Sequence, residues 1–345
     1  MINKEIKTKT ILSGMTLQQM KEFVLAHDEP EFRAKQLHGW IYKKYAKDFD
    51  SMSSLSKSFR NKLIDIAEIT DTKIKQKQVS KDGTIKYLLE FADGSLVETV
   101  LMSYEKRPNL TACVSTQVGC AVGCAFCATG KNGFTRNLSA KEIVDQVMTI
   151  QRDTGKTVTN IVYMGQGEPL LNYEETKKSI LIMNEDMEIG MRRITVSTSG
   201  IVPQIYKMAE INRQLVIALS LHAPDHELRK KLIPVEEKYS LDEVIKALKY
   251  YADVSKRRVT IEYILIDKLN DSVEHAEKLN KLLKGLKYNI NLIPYNPVTD
   301  NEFKKPSQER INKFKAVLEK TNASVTVRLE RGADIAAACG QLKGK

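Results

Sequence analysis

The sequence predicts a parallel α/β fold, for three reasons. From Thr111 onward, apolar strand-like runs alternate with amphipathic helical stretches. Two helix starts in that region carry reciprocal caps, and the residues able to do chemistry fall repeatedly at strand ends. The strand-like runs lie near 111–116, 159–164, 192–197, 214–220, 257–266 and 289–293, with helical segments between them. Six such units are too few for a closed eight-stranded barrel, so an open doubly wound sheet and a partial barrel both fit.

Taken in order, Met1 to Thr10 hold no apolar stretch of the kind a leader peptide needs. Nowhere do about eighteen apolar residues run together, so the expectation is a cytoplasmic chain with no membrane partner. Residues 16–26, 31–45 and 56–69 read as helices, with Phe59, Leu63, Ile66 and Ala67 at helical spacing. They suggest a helical accessory domain over 1–70. Its Arg33, Lys35, Lys43, Lys44 and Lys47 suit either an RNA-facing surface or a merely solvated one. Over 71–110, Asp82-Gly83 and Asp93-Gly94 punctuate strands at 85–91 and 95–102, in the manner of a small antiparallel sheet. The core is expected over 111–345. Within it, Ser139-Ala-Lys-Glu142 and Ser240-Leu-Asp-Glu243 are capping boxes, each Ser serving an orphan amide and each Glu reaching back to the cap.

Three of the five cysteines stand in one run, Cys120-Ala-Val-Gly-Cys124-Ala-Phe-Cys127. Thiolates so spaced select iron–sulfur chemistry or zinc, and a structural zinc would want a fourth ligand, whereas the next histidine downstream is His222. An iron–sulfur cube on three cysteines keeps one iron open for a small molecule. An odd cysteine count without a leader argues for reduced, reactive thiols rather than a disulfide framework. The excess of 54 Lys and Arg over 43 Asp and Glu gives +11, which suits an anionic partner such as RNA but equally describes lysines that solvate helix faces.

The cysteine run, Gly165-Gln-Gly-Glu168, Ser197, Ser220, His222 and Asn296 each follow or end a strand, so a parallel fold gathers them at one face. Position 170 is Leu, which excludes a dinucleotide-binding GxGxxG. Gly165 and Gly167 instead suit close approach of backbone to a ligand, and Glu168 offers an acceptor to an ammonium group. Cys113 and Cys339 would by default be inert buried thiols.

Phe126 before the last cysteine, together with Cys113-Val-Ser-Thr-Gln-Val-Gly-Cys120, Met164-Gly-Gln-Gly-Glu168-Pro, Ser197-Thr-Ser-Gly200, Ser220-Leu-His222 and Ala337-Ala-Cys339-Gly-Gln-Leu342, resembles the radical S-adenosylmethionine RNA adenine methyltransferases of the RlmN/Cfr group. The likeness runs over about 21–343. It implies a partial (β/α)6 barrel and one 4Fe–4S cluster on Cys120, Cys124 and Cys127. It implies two S-adenosylmethionine molecules per turnover, contacted by Gly167, Glu168, Ser197, Ser220, Leu221, His222 and Asn296. Cys339 would take a methyl group from the first, a radical from the second would remove hydrogen from it, and the resulting methylene would add to the base. Cys113 would then attack the sulfur of Cys339 to form a transient disulfide, and Glu98, an acid in an apolar run, would accept the proton.

The implied partners are 23S ribosomal RNA at the peptidyl transferase centre, the tRNA adenine 3' of the anticodon, and an electron donor such as flavodoxin or ferredoxin; the implied state is a monomer. Gly165 to Pro169, Ser197 to Gly200, Leu292-Ile-Pro-Tyr and Arg331-Gly-Ala-Asp334 look more like the carbon-2 enzymes, while Arg328-Leu329, where the family usually has Arg-Arg, keeps carbon 8 open. Gln166 stands where many relatives have Met. A different class also stands beside the enzyme: an iron–sulfur protein that binds RNA or senses redox state without turnover.

Overall fold

The computed structural model describes residues 9–104, 107–211, 214–298, 301–321 and 323–344. The first eight residues of the segment read above for a leader lie outside these. Among the described residues, no helix is long and apolar enough to cross a membrane.

The chain begins with β1 (Thr10–Ile11), α1 (Leu17–Leu25), α2 (Phe32–Tyr42), α3 (Lys57–Ile66) and β2 (Ala67–Glu68). Thr16 starts α1 with a capping box closed by Gln19. The third helix stops at Ile66, short of the expected 69, because Ala67 and Glu68 leave it to pair in parallel with β1. Met20, Leu37, Phe59 and Leu63 are fully buried and join the same apolar cluster as the rest of the chain.

There follow β3 (Lys73–Val79), β4 (Ile85–Glu90), β5 (Leu96–Tyr104) and β6 (Arg107–Cys113), then a small hairpin of β7 (Gln117–Gly119) and β8 (Phe134–Asn137) around α4 (Ala128–Lys131). Next come α5 (Ala140–Thr154), β9 (Asn160–Tyr163), α6 (Tyr173–Glu185), β10 (Ile194–Thr198), α7 (Val202–Glu210), β11 (Val216–Ser220), α8 (His226–Leu232) and α9 (Leu241–Ser255). The chain ends with β12 (Val259–Leu265), α10 (Val273–Leu282), β13 (Tyr288–Pro294), α11 (Gln308–Glu319) and β14 (Ser324–Val327). Both expected capping boxes, Ser139 with Glu142 and Ser240 with Glu243, are formed.

Among the described residues, one ten-stranded sheet runs β14-β13-β12-β11-β10-β9-β6-β5-β4-β3. From β6 to β14 the neighbours are parallel and follow chain order without reversal. A doubly wound sheet must reverse at a switch point, so this is the partial barrel. It has one parallel strand beyond the six expected, β14, whose four residues are too short and too exposed to read as a strand.

The 71–110 segment is antiparallel as expected, yet it is no separate sheet. Strand β5 pairs with β6, Val100 opposite Cys113, and so extends the main sheet. Strand β3 escaped the sequence reading because Lys-Ile-Lys-Gln-Lys-Gln-Val is largely exposed; its lysines suit an edge strand that must not recruit another chain. Strand β6 ends at Cys113 rather than 116. Beyond it, Thr116 N–H bonds Gln166 O (2.8 Å), steering the chain into the cysteine loop.

A buried carboxylate joins the N-terminal helices to the barrel. Asp145 of α5 accepts Ser13 Oγ (2.5 Å), Arg152 Nη2 (2.7 Å) and the Thr70 hydroxyl. Burial opposes its ionisation, but Arg152 and the hydroxyls outweigh that and hold its carboxyl below the usual range. Asp145→Ala should cost about 3–5 kcal/mol in urea unfolding at pH 7, since Arg152 is left buried and uncompensated. Because the folded value lies below the unfolded one, this contribution is complete above about pH 4 and disappears as pH falls through the folded value. Acid titration of wild type against Asp145→Ala checks the sign: the gap between them must close at low pH.

Candidate active site

The loop after β6 places Cys120, Cys124 and Cys127 around a cavity of about 160 Å³ at the carboxyl ends of the parallel strands. Backbone bonds fix the loop: Cys120 N–H to Gly133 O (2.8 Å) and Ala125 N–H to Leu232 O (3.0 Å). Val122, Phe126, Leu232, Ile233, Ile264 and Tyr295 wall the thiols with apolar surface. Burial pushes the Cys120 thiol up to about 11 and the Cys124 thiol well above its ordinary value. Among the described residues, no group of three or more His, Cys, Asp or Glu forms a site for a single metal ion. Three thiols bordering one shared cavity are the donor set an iron–sulfur cube takes, one cysteine per iron.

The same cavity is lined by Gly165, Gly167, Glu168, Ser197, Ser220 and His222, which the sequence had placed at strand ends. Glu168 is buried. Its Oε1 accepts Leu170 N–H (3.0 Å) and its Oε2 Ser199 N–H (2.7 Å), while burial raises its carboxyl above the usual range. Two amides leave lone pairs for a ligand ammonium. His222 Nδ1 accepts the Ile264 amide (3.0 Å), which puts its proton on Nε2; burial, with Arg229, pulls its pKa down to about 3. It is therefore a neutral donor, packed edge-on against Phe126 at 4.9 Å. Ser197 Oγ and Ser220 Oγ lie 3.3 Å apart.

Gly167 has φ +95°, and a Cβ there would lie 2.6 Å from the Gln117 Cβ. Gln117 Oε1 in turn accepts the Glu168 amide at 2.9 Å. Gly167→Ala should therefore cost about 1–3 kcal/mol, read as a lower denaturant midpoint at unchanged slope.

A second cavity, of about 710 Å³, opens beside the first. Val100, Met102 and Tyr104 of β5, Cys113 of β6, and Cys339 in the C-terminal segment line it, with Asn296, Lys305, Arg328 and Arg331. Cys339, Met164, Ile293, Arg328 and Leu342 border both cavities. Cys113 and Cys339 are free thiols, and burial pushes the Cys113 thiol up to about 12. Asn296 lies not against the first cavity but on the second, where its Nδ2 donates to Cys339 O (3.2 Å).

Two expected residues are not brought to either cavity. Leu221 is fully buried and lines neither. Glu98 is also buried and lines neither: Lys86 Nζ lies 2.9 Å from its Oε1, and its Oε2 accepts the amides of Lys343 and Gly344. Of the N-terminal cations, Lys35, Lys44 and Lys47 are exposed, Lys44 lying over the Trp40 ring, while Lys43 pairs with Glu188.

The sequence reading overlooked Glu262. It is buried in β12, its Oε1 accepts Asn291 Nδ2 (2.9 Å), and its Oε2 has no hydrogen-bond partner with Arg328 Nη1 at 3.6 Å. An acid inside Val-Thr-Ile-Glu-Tyr-Ile-Leu was the available signal, the same one that singled out Glu98. Gln166 is buried and accepts the Glu98 amide through Oε1 (2.8 Å).

Two family models match the chain: the radical SAM superfamily over residues 114–282 and the ribosomal RNA large subunit methyltransferase N-terminal domain over 10–69. A protein of Clostridioides difficile (strain 630) named "Probable dual-specificity RNA methyltransferase RlmN" is 48% identical over 342 residues, covering 98% of this chain and 99% of that one. A protein of the same name from Thermoanaerobacter sp. (strain X514) is 49% identical over 337 residues, covering 97% and 98%. The crystal structure of a radical SAM methyltransferase from Sphaerobacter thermophilus superimposes with a TM-score of 0.92 at 46% identity, over 97% of this chain and 100% of that one.

Proposed function

The chain belongs to the RlmN family of radical S-adenosylmethionine RNA methyltransferases, and from that premise we propose that it methylates carbon 2 of an adenine in 23S ribosomal RNA and of the tRNA adenine 3' of the anticodon. One observation carries the reading: Cys339 borders both the cavity ringed by Cys120, Cys124 and Cys127 and the larger one beside it. A thiol reachable from both sides is what a methyl carrier between cofactor and base requires.

Cys120, Cys124 and Cys127 would hold the cluster. Glu168 would accept from the methionyl ammonium, and Gly167, Ser197, Ser220 and His222 line the rest of the same cavity. Bound together, cluster and S-adenosylmethionine supply hydrogen-abstracting radical chemistry at the price of one electron, delivered in the cytoplasm by a flavodoxin- or ferredoxin-type donor.

The Cys339 thiolate attacks a sulfonium methyl carbon, forming its S–CH3 bond as the old one breaks. A thioether on Cys339 then faces the large cavity, where Arg328, Arg331 and Lys305 offer cations to an RNA backbone. Cys113, on the same cavity, would attack the Cys339 sulfur once the base is attached, its S–S bond forming as the Cys339 sulfur–carbon bond breaks and leaves the methyl carbon on the base. Glu98, once uncovered, would take the proton from the modified carbon as the adduct gives up one electron.

Carbon 2 rests on the sequence motifs, and a second RNA substrate on the dual specificity in the relatives' names. Nucleoside mass spectrometry of ribosomal RNA and tRNA, from cells lacking their own enzyme and expressing this chain, should show 2-methyladenosine in both. A peak of 8-methyladenosine instead would move the chain to the sister specificity, and no methylated adenosine in either RNA would sink the reading.

A further inference from the structure

The segment that carries Cys339 is gripped from two directions. On the barrel side, Asn296 holds Cys339 O, the Ala128 amide holds Gly340 O (2.8 Å) and Thr129 Oγ1 holds Leu342 O (2.7 Å). On the other side lie β3 to β5 and their turns. Asp82 Oδ2 accepts the Gly332 amide (2.9 Å), and Ser80 Oγ donates to Asp334 Oδ1 (2.6 Å). Closer to the thiol, two anchors meet at one ammonium. Lys86 Nζ donates to Ala336 O (3.2 Å) and lies 2.9 Å from Glu98 Oε1. Glu98 Oε2 then accepts the amides of Lys343 (2.5 Å) and Gly344 (3.1 Å).

The pairing is built into the sheet. Lys86 sits opposite Val100 and Leu88 opposite Glu98, so Lys86 and Glu98 are diagonal neighbours on one face. Both are buried, where a lone charge of either sign is costly. Without Lys86 the buried Glu98 carboxylate would lose its counter-charge, and the two amides alone would face it. The same substitution would strip the hydrogen bond from Ala336 O. Ala336 precedes Cys339 and Lys343 follows it, so one cation supports both flanks of the thiol.

We propose that Lys86 is a positioning residue for Cys339, its ammonium coupling the Ala336 and Lys343–Gly344 anchors so that both flanks of the thiol dock together. The proposal rests on the reading of Cys339 as methyl carrier and adds a consequence for Glu98. Glu98, Val100, Met102 and Tyr104 alternate along one face of β5, and the last three line the large cavity. Glu98 is shut off from that row by the amides of Lys343 and Gly344. It becomes available to a base only when the end of the segment lifts, which ties proton acceptance to undocking after the methyl group has been carried across.

Amide hydrogen exchange on the full-length chain tests the coupling without RNA or turnover. Lys86→Met and Glu98→Gln should each speed exchange at Lys343 and Gly344 by about tenfold or more, with β12 and β13 unchanged, and Lys86→Arg should restore most of the protection. Wild-type rates at both amides in Lys86→Met and Glu98→Gln overturn the proposal, as does Lys86→Arg exchanging as fast as Lys86→Met. Should Lys86→Met unfold β4, Glu98→Gln, which keeps the side chain's shape, decides alone. Failure here leaves the methylation reading standing, and absence of 2-methyladenosine leaves the exchange result standing.

Discussion

Cys339→Ala should abolish RNA methylation, by on the order of 10⁴-fold or more as for loss of a covalent nucleophile, while iron content and cofactor cleavage persist. The separation follows from how the segment is held. Its bonds to Asn296, Ala128, Thr129 and Glu98 all use the backbone of 339–344, and none uses the Cys339 side chain. Alanine therefore keeps the segment docked and the cluster site walled while removing the sulfur that borders both cavities. Cys113→Ala halts the cycle at a later point. Methyl transfer to Cys339 proceeds, but nothing attacks the sulfur once it is joined to the base, so RNA should remain covalently attached. Intact-protein mass spectrometry distinguishes the two: neither methyl nor RNA on Cys339→Ala, RNA retained on Cys113→Ala. Methylated RNA from Cys339→Ala would end the carrier assignment.

Much of this site was legible because a parallel α/β chain sends every strand end to one face. His222, Glu168, Ser197 and Ser220 could be grouped from strand ends alone, and the cysteine run by its spacing. What stayed hidden is non-local. Asp82 meets Gly332, and Ser80 meets Asp334, across most of the chain, and contacts at such separation leave no periodicity to read. Strands β3 and β14 were missed because edge strands are selected for what they must not bind as much as for what they bury. Glu98 and Glu262 gave the same signal, an acid in an apolar strand, and the structure explains them differently. Glu98 is saturated by Lys86 and two amides, whereas Glu262 keeps one oxygen without a hydrogen bond, 3.6 Å from Arg328, on the smaller cavity's wall. An acid in a strand thus marks a buried partner that must exist, and only the fold says which.

Cys120→Ala should empty the iron site and with it stop cofactor cleavage, without unfolding the chain. Backbone bonds hold the loop: Cys120 N–H bonds Gly133 O, and Cys127 N–H bonds Cys124 O (3.2 Å). The apolar wall of Val122, Phe126, Leu232 and Ile264 closes around it. That same wall offers no substitute ligand. His222 has its Nδ1 committed to the Ile264 amide, and Cys339 is held through its carbonyl where the two cavities meet, outside the cysteine loop itself. With two thiols instead of three, an iron loses its protein anchor at a site where buried thiols already resist ionisation. Iron and sulfide analysis after anaerobic reconstitution should fall to background in Cys120→Ala, with circular dichroism and the denaturant midpoint close to wild type. A variant that kept its iron and still formed 5'-deoxyadenosine would remove the three-cysteine site from the mechanism. One that lost both iron and fold would show that the loop is shaped by the cluster rather than waiting for it.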